Sequence, residues 1–210
     1  MIQGIIRFQT FKLLIQLIKI EREEIIMTKR VIVLNFEISS QAYQAFSEIK
    51  KLHLRKEIVG EQMAVITHSS EGNHQFKVED FLDFTGTNKT SKGGLIGMLV
   101  GILGGPLGMI LGWFGGSLIG ASKDAQEIRV AQTIFEFVGN KIGEGDTGLI
   151  LIADEEDNRP LNNLVMYELG GEISRFELDE VEAEIKKAQE VETETKENIK
   201  KIWEEKHSND

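Results

Sequence analysis

The feature that most limits what this chain can fold into is the run from Gly93 to Ala121, GGLIGMLVGILGGPLGMILGWFGGSLIGA, which holds no charged residue. Gly93, Gly97, Gly101 and Gly105 recur every four residues, and so do Gly104, Gly108, Gly112, Gly116 and Gly120. On a helix this period lays an almost side-chain-free stripe along one face, where a second helix can approach to backbone contact. In water each such glycine costs a helix about 1 kcal/mol against alanine. Lipid or dense burial must offset that loss. Pro106, behind Gly104 and Gly105, interrupts the pattern near its middle and predicts a helical hairpin of two arms. An arm of about a dozen residues is roughly 18 Å long, short of the ~30 Å hydrocarbon layer of a bilayer.

The flanks of the run constrain its topology. Val31–Phe36 (VIVLNF) is a β-branched apolar run and predicts a buried strand. Ser39 and Ser40 are candidate caps for a helix with Ala42, Ala45, Phe46, Ile49 and Leu52 on one face. Ile58–His68 and His74–Phe81 flank turn residues and predict a hairpin. Beyond the run, Ser122 is a candidate cap for a helix carrying Ala125, Ile128, Ala131, Phe135, Val138 and Ile142, ended by Gly143 and Gly145. Leu149–Ile152 predicts a strand, and Asn158 with Pro160 opens a helix carrying Leu161, Leu164, Val165 and Leu169. Gly170 and Gly171 stop it, Glu172–Leu178 predicts the last strand, and Glu180–Lys206 a long acidic helix. Helix-crossed strands before and after the run predict an α+β, ferredoxin-like sandwich interrupted by the glycine-rich hairpin and followed by a C-terminal helix. Neither half has an obvious core of its own, so residues 27–180 are expected to form one domain with insert 93–121, and 181–210 an appended helix.

A single kinked helix through a membrane would separate the two halves of that domain. The hairpin is therefore expected to be re-entrant, with both ends on the cytoplasmic side, in keeping with Lys89, Lys92 and Lys123 at its flanks. The other solution buries the hairpin in the core of a homo-oligomer, since a large apolar patch is rarely left bare. In either case Leu99, Ile102, Met109, Ile110, Trp113 and Phe114 would face outward, toward lipid or a neighbouring subunit.

Residues 1–26 differ from the rest. Arg7, Lys12 and Lys19 break the apolar run that a signal peptide requires. Arg22-Glu23-Glu24 can be encoded by a purine run of the kind that pairs with ribosomal RNA upstream of a start codon, and two residues separate it from Met27. We expect Met27 to be the native start and residues 1–26 to be translated leader; an amphipathic arm at a membrane surface is the other reading.

Chemistry is sparse. The chain of 210 residues has no cysteine, which excludes disulfides and thiolate sites, and a net charge of −10, which disfavours nucleic acid as a partner. His68 and His74 could face each other across the hairpin and hold a metal, although two ligands are weak evidence against ordinary surface histidines. Asp154, Glu155, Glu156 and Asp157 lack calcium-loop spacing and read as a solvated loop. Gly86-Thr87-Asn88-Lys89-Thr90 fails the phosphate-loop pattern, and no Gly-x-Ser-x-Gly elbow occurs. In the tail, Val181, Ile185, Ala188, Thr195, Ile199 and Ile202 follow a heptad broken by Glu192, a poor coiled coil. Neither a cofactor nor a small-molecule ligand is indicated.

The opening MTKRVIVLNFEISSQAYQAFSEIKKL, the hairpin HSSEGNHQFKVED, the glycine-rich run and the closing LGGEISRFELDEVEAEI together resemble a bacterial family of predicted membrane proteins, domain of unknown function 1269. The layout is also similar to general-stress proteins with a glycine-rich middle. The resemblance covers Met27 to about Glu184. It implies a fold and a membrane or stress association, with no activity and no functional residues to carry over. Two function classes stand from the sequence. One is a non-enzymatic membrane-associated protein on the cytoplasmic side of the cell membrane. The other is a cytoplasmic, self-assembling protein with the hairpin at its oligomer core.

Overall fold

The computed structural model describes residues 29–71, 75–86, 94–105 and 134–207. It is an α+β fold built on a five-stranded antiparallel sheet. The elements run β1 (Lys29–Asn35), α1 (Ser39–Leu54), β2 (Val59–His68), β3 (Phe76–Asp83), α2 (Leu95–Leu103), α3 (Ile134–Lys141), β4 (Thr147–Asp154), α4 (Arg159–Asn162), β5 (Glu172–Glu177) and α5 (Leu178–His207). A π-helical turn, Asn163–Glu168, continues α4.

The sheet order is β3-β2-β4-β1-β5. β1 and β2 follow each other in sequence through α1 but do not touch as neighbours; β4, from beyond the glycine-rich run, lies between them. Its register sets Val33 against Ile150 and Val31 against Ile152 on one side, and Ala64 against Ile150 on the other. These strands are continuously apolar because both faces of the sheet are covered. Ile32, Leu34, Leu149 and Leu151 point to a layer formed by α1 and the α4–π segment. Val31, Val33, Ile150 and Ile152 point to a layer formed by α2, α3 and α5.

Local signals account for most elements. α1 buries Ala42, Ala45, Phe46, Ile49 and Leu52, the stripe its spacing predicts. Its start differs from expectation. Neither Ser39 nor Ser40 caps it; Ile38 takes the N-cap position, and its N–H donates to Gln41 Oε1 at 3.2 Å. At α4, Asn158 makes no capping bond with its side chain. Asp157 Oδ1 instead accepts the Arg159 N–H at 2.9 Å, a geometry that an already helical Asn158 cannot offer. Gly145 and Gly170 take positive φ at the turns they were expected to make. Gly171 allows β5 to start hard against β1, since a Cβ there would lie 2.5 Å from the Phe36 ring and 2.9 Å from the Asn35 carbonyl.

Candidate functional site at the base of the glycine-rich run

Within the first half of the run lies α2, and its apolar residues belong to the protein's own core. Ile96, Leu99, Val100, Ile102 and Leu103 are all buried in the layer shared with α3, α5 and the sheet. Leu99 and Ile102, expected to face outward, point inward. The reason is demand from the sheet: Val31, Val33, Ala64, Ile66, Ile150 and Ile152 present an apolar face that a short all-apolar helix can cover.

The glycines divide into two uses. Gly101 is exposed, and a Cβ built on it meets no described atom within 4 Å. Gly97, one turn earlier, is half-buried. Gly104 and Gly105 serve close approach instead. A Cβ on Gly104 would lie 3.0 Å from the Phe76 carbonyl of β3, and one on Gly105 would lie 2.9 Å from Glu192 Oε1 of α5. Gly93, Pro106, Gly108, Gly112, Gly116 and Gly120 lie outside the described residues, as do Met109, Ile110, Trp113 and Phe114.

The expectation of a transmembrane helix is overturned. Among the described residues no helix is long and apolar enough to cross a membrane. α2 has nine residues, and α5, which has 30, carries charges along its whole length.

The next described element is α3. Ile134 is buried, and its N–H donates to Glu184 Oε2 of α5 at 2.7 Å. Burial pushes the Glu184 carboxyl up; the Ile134 N–H opposes that, Glu180 and Glu136 reinforce it, and Lys187 counters weakly. Phe137 meets Phe176 of β5 edge-on at 5.1 Å, and Lys141 Nζ donates to Glu172 at 2.6 Å. α5 is seated by Val181 and Ile185, with Leu178 and Ala188 partly buried beside them. Glu184 carries a signal legible in hindsight: it stands three residues after Val181 and four before Ala188, at the margin of the buried stripe.

Other polar groups are used structurally. His68 is buried and not at the surface; its ring stacks on Phe76 and Nδ1 lies 2.7 Å from the Ile142 carbonyl. His74 lies outside the described residues. Among the described residues, no group of three or more His, Asp or Glu is placed to hold a metal. The acidic loop is only partly solvated. The Glu155 side chain is fully buried and takes a two-pronged bond from Arg175, Nε to Oε2 at 2.6 Å and Nη2 to Oε1 at 3.0 Å. Arg175 Nη2 also donates to Asn162 Oδ1, tying β5 to α4. Lys29 bonds Glu61 at 2.6 Å beside Asp154, whose carboxyl burial pushes up.

One concavity escaped the sequence. A pocket of about 180 Å³ opens between α1 and the π turn, lined by Glu48, Arg55, Glu57, Asn163 and Glu168. Glu48 is paired with Lys51 and Glu57 with Arg55. Glu48 stands on α1 at the margin of its buried stripe and Arg55 at its C-cap, but nothing in the sequence marks the π turn opposite them. Compared with protein-family models, curated proteins and solved structures, the chain matches none.

Proposed function

We infer that this is a non-enzymatic self-assembling protein: a ferredoxin-like sandwich whose glycine-rich run pairs with a second copy. The observation that carries the reading is the orientation of α2. Its large side chains are consumed by the protein's own core, and Gly101 is exposed, with no described atom within 4 Å of a Cβ built on it. A helix surface without Cβ atoms lets another backbone approach closely and gain dispersion energy over its length. The ferredoxin-like reading is supported by topology. β1-α1-β2 and β4-α4-β5 are the two helix-crossed units, their strands run in the order β2-β4-β1-β5, and α1 and α4 cover the same face. β3 is then an additional edge strand. The non-enzymatic reading is supported by how the polar groups are occupied: Glu155 holds Arg175, Glu184 holds the Ile134 N–H, and His68 meets the Ile142 carbonyl.

Sedimentation velocity of the full chain without detergent tests the reading. We expect a species larger than one chain at micromolar concentration. G101L should shift it toward the single chain while leaving the circular dichroism spectrum unchanged, because Gly101 is exposed and a Cβ there meets no described atom within 4 Å. A single chain at all concentrations, or an assembly indifferent to G101L, counts against self-association through this face.

A further inference from the structure

The two edges of the sheet are built differently. β3, at one edge, carries Lys77, Glu79, Asp80 and Asp83, and its register against β2 shifts between Val65 and Ile66, a bulge that sets Glu79 out of the ladder. Charges and a bulge of this kind keep an edge from pairing with another strand. β5, at the other edge, has neither device. Its register against β1 runs unbroken from Arg30–Glu177 to Asn35–Glu172. Each of its charges is paired within the chain: Glu172 with Lys141 at 2.6 Å, Glu177 with Arg30 at 3.4 Å and Arg175 with Glu155 at 2.6 Å. Between them Ile173 and Phe176, on opposite faces of the sheet, are only half-buried. Among the described residues β1 is the only strand paired with β5, so the outer edge of β5 offers backbone donors and acceptors to a further strand.

We propose that β5 pairs antiparallel with β5 of a second copy of this chain, joining two five-stranded sheets into one. The second copy fits because the strand is compatible with itself. A two-fold axis normal to the sheet leaves one residue facing its own copy. With Ser174 on the axis, residues 172–176 pair, Ile173 comes opposite Arg175 and Glu172 opposite Phe176, and no charge faces its like. Moving the axis to Arg175 pairs as many residues but sets that guanidinium against its own copy, which is unfavourable. A sheet continued through Ser174 covers the half-exposed Ile173 and Phe176 on both faces. This seam is distinct from the glycine face and does not rest on it: α2 packs over β2 and β3, toward the other edge. So short a seam falls below the roughly 800 Å² per partner of a stable interface. Alone it holds copies weakly, and covalent trapping reads it better than sedimentation.

Disulfide trapping in the full chain, which has no cysteine of its own, tests this. Directly opposed residues of an antiparallel pair have Cα atoms about 4.5–5.5 Å apart, within the span of a disulfide. S174C under mild oxidation should therefore give a covalent dimer. E172C is the control on the same strand: with Ser174 on the axis its two copies stand four residues out of register, about 14 Å apart and too far to bridge. E79C is the control on the β3 edge. S174C should cross-link about tenfold faster than either control, and the difference should vanish in urea. Adding G101L to S174C should leave that advantage intact, so a failed seam shows in cross-linking and a failed glycine face shows in sedimentation. S174C that cross-links no faster than E172C or E79C, an advantage that persists in urea, or one that G101L removes, overturns the proposal.

Discussion

Replacing Leu99 by alanine separates the inward orientation of α2 from an outward one. Leu99 is 1 % exposed in the layer between α2, α3, α5 and the sheet. Removing a fully buried leucine side chain costs its transfer from water plus the cavity left behind, about 2–5 kcal/mol in all. Taking about 3 kcal/mol, and the ~2–4 °C per kcal/mol usual for a chain of this length, the melting temperature should fall by roughly 6–12 °C. The partner substitution is G101A. Its Cβ meets no described atom within 4 Å, and alanine is the better helix former, so the fold of the single chain should gain about 0.5–1 kcal/mol while an assembly through this face weakens. Urea unfolding followed by circular dichroism measures both, at two protein concentrations so that dissociation of an assembly is distinguished from unfolding. An outward α2 reverses the ranking: L99A would fall within about 0.5 kcal/mol of the parent, as exposed substitutions do, and G101A would be the damaging change. A loss below about 1 kcal/mol for L99A refutes the inward packing.

Two further substitutions probe the polar framework. E155A strands the Arg175 guanidinium between β5 and α4, and breaking one side of a buried pair should cost roughly 3–5 kcal/mol in urea unfolding; a loss under about 1 kcal/mol would show the pair to be dispensable. Asp154 has its carboxyl raised by burial, with Lys29 opposing and Glu61 adding to the rise, so its contribution to stability is present below the unfolded carboxylate range and lost as pH rises through the folded value. D154N should therefore match the parent near pH 3 and exceed it at pH 7, and a parent that is the more stable at pH 7 contradicts this.

The sheet was legible because its signal is redundant. VIVL and GLILIA are unbroken apolar runs with β-branched residues, and such a run suits a strand covered on both faces. α1 was legible because the charged residues Glu48, Lys50 and Lys51 all fall outside its buried stripe. α2 offers no such contrast. In LIGMLVGIL every residue is apolar or glycine, so hydropathy cannot tell inside from outside. Size carries that information instead, with the bulky residues inward and Gly101 outward. The caps were misread for a related reason. Ser39, Ser40 and Asn158 have suitable side chains, but Gln41 and Asp157 reach the free N–H groups, and that depends on where the chain enters the helix. The Glu155–Arg175 pair joins the loop after β4 to β5, and a pairing across separate segments leaves no local periodicity to read.

The strand order has a consequence for how this protein is made. β1, α1 and β2 leave the ribosome first, yet β1 and β2 are separated in the sheet by a gap one strand wide that only β4 fills. Lys29 pairs with Asp154, so the central ladder cannot close until nearly the whole sheet-forming sequence has been synthesised. In that interval the inner edges of β1 and β2 are unpaired, and the most apolar segment of the chain emerges before the strand that closes the sheet. Contacts of such long sequence separation close slowly, and open strand edges beside apolar segments invite association between nascent chains. The yield of folded protein should accordingly depend on holdase chaperones during translation more than on the stability of the finished fold.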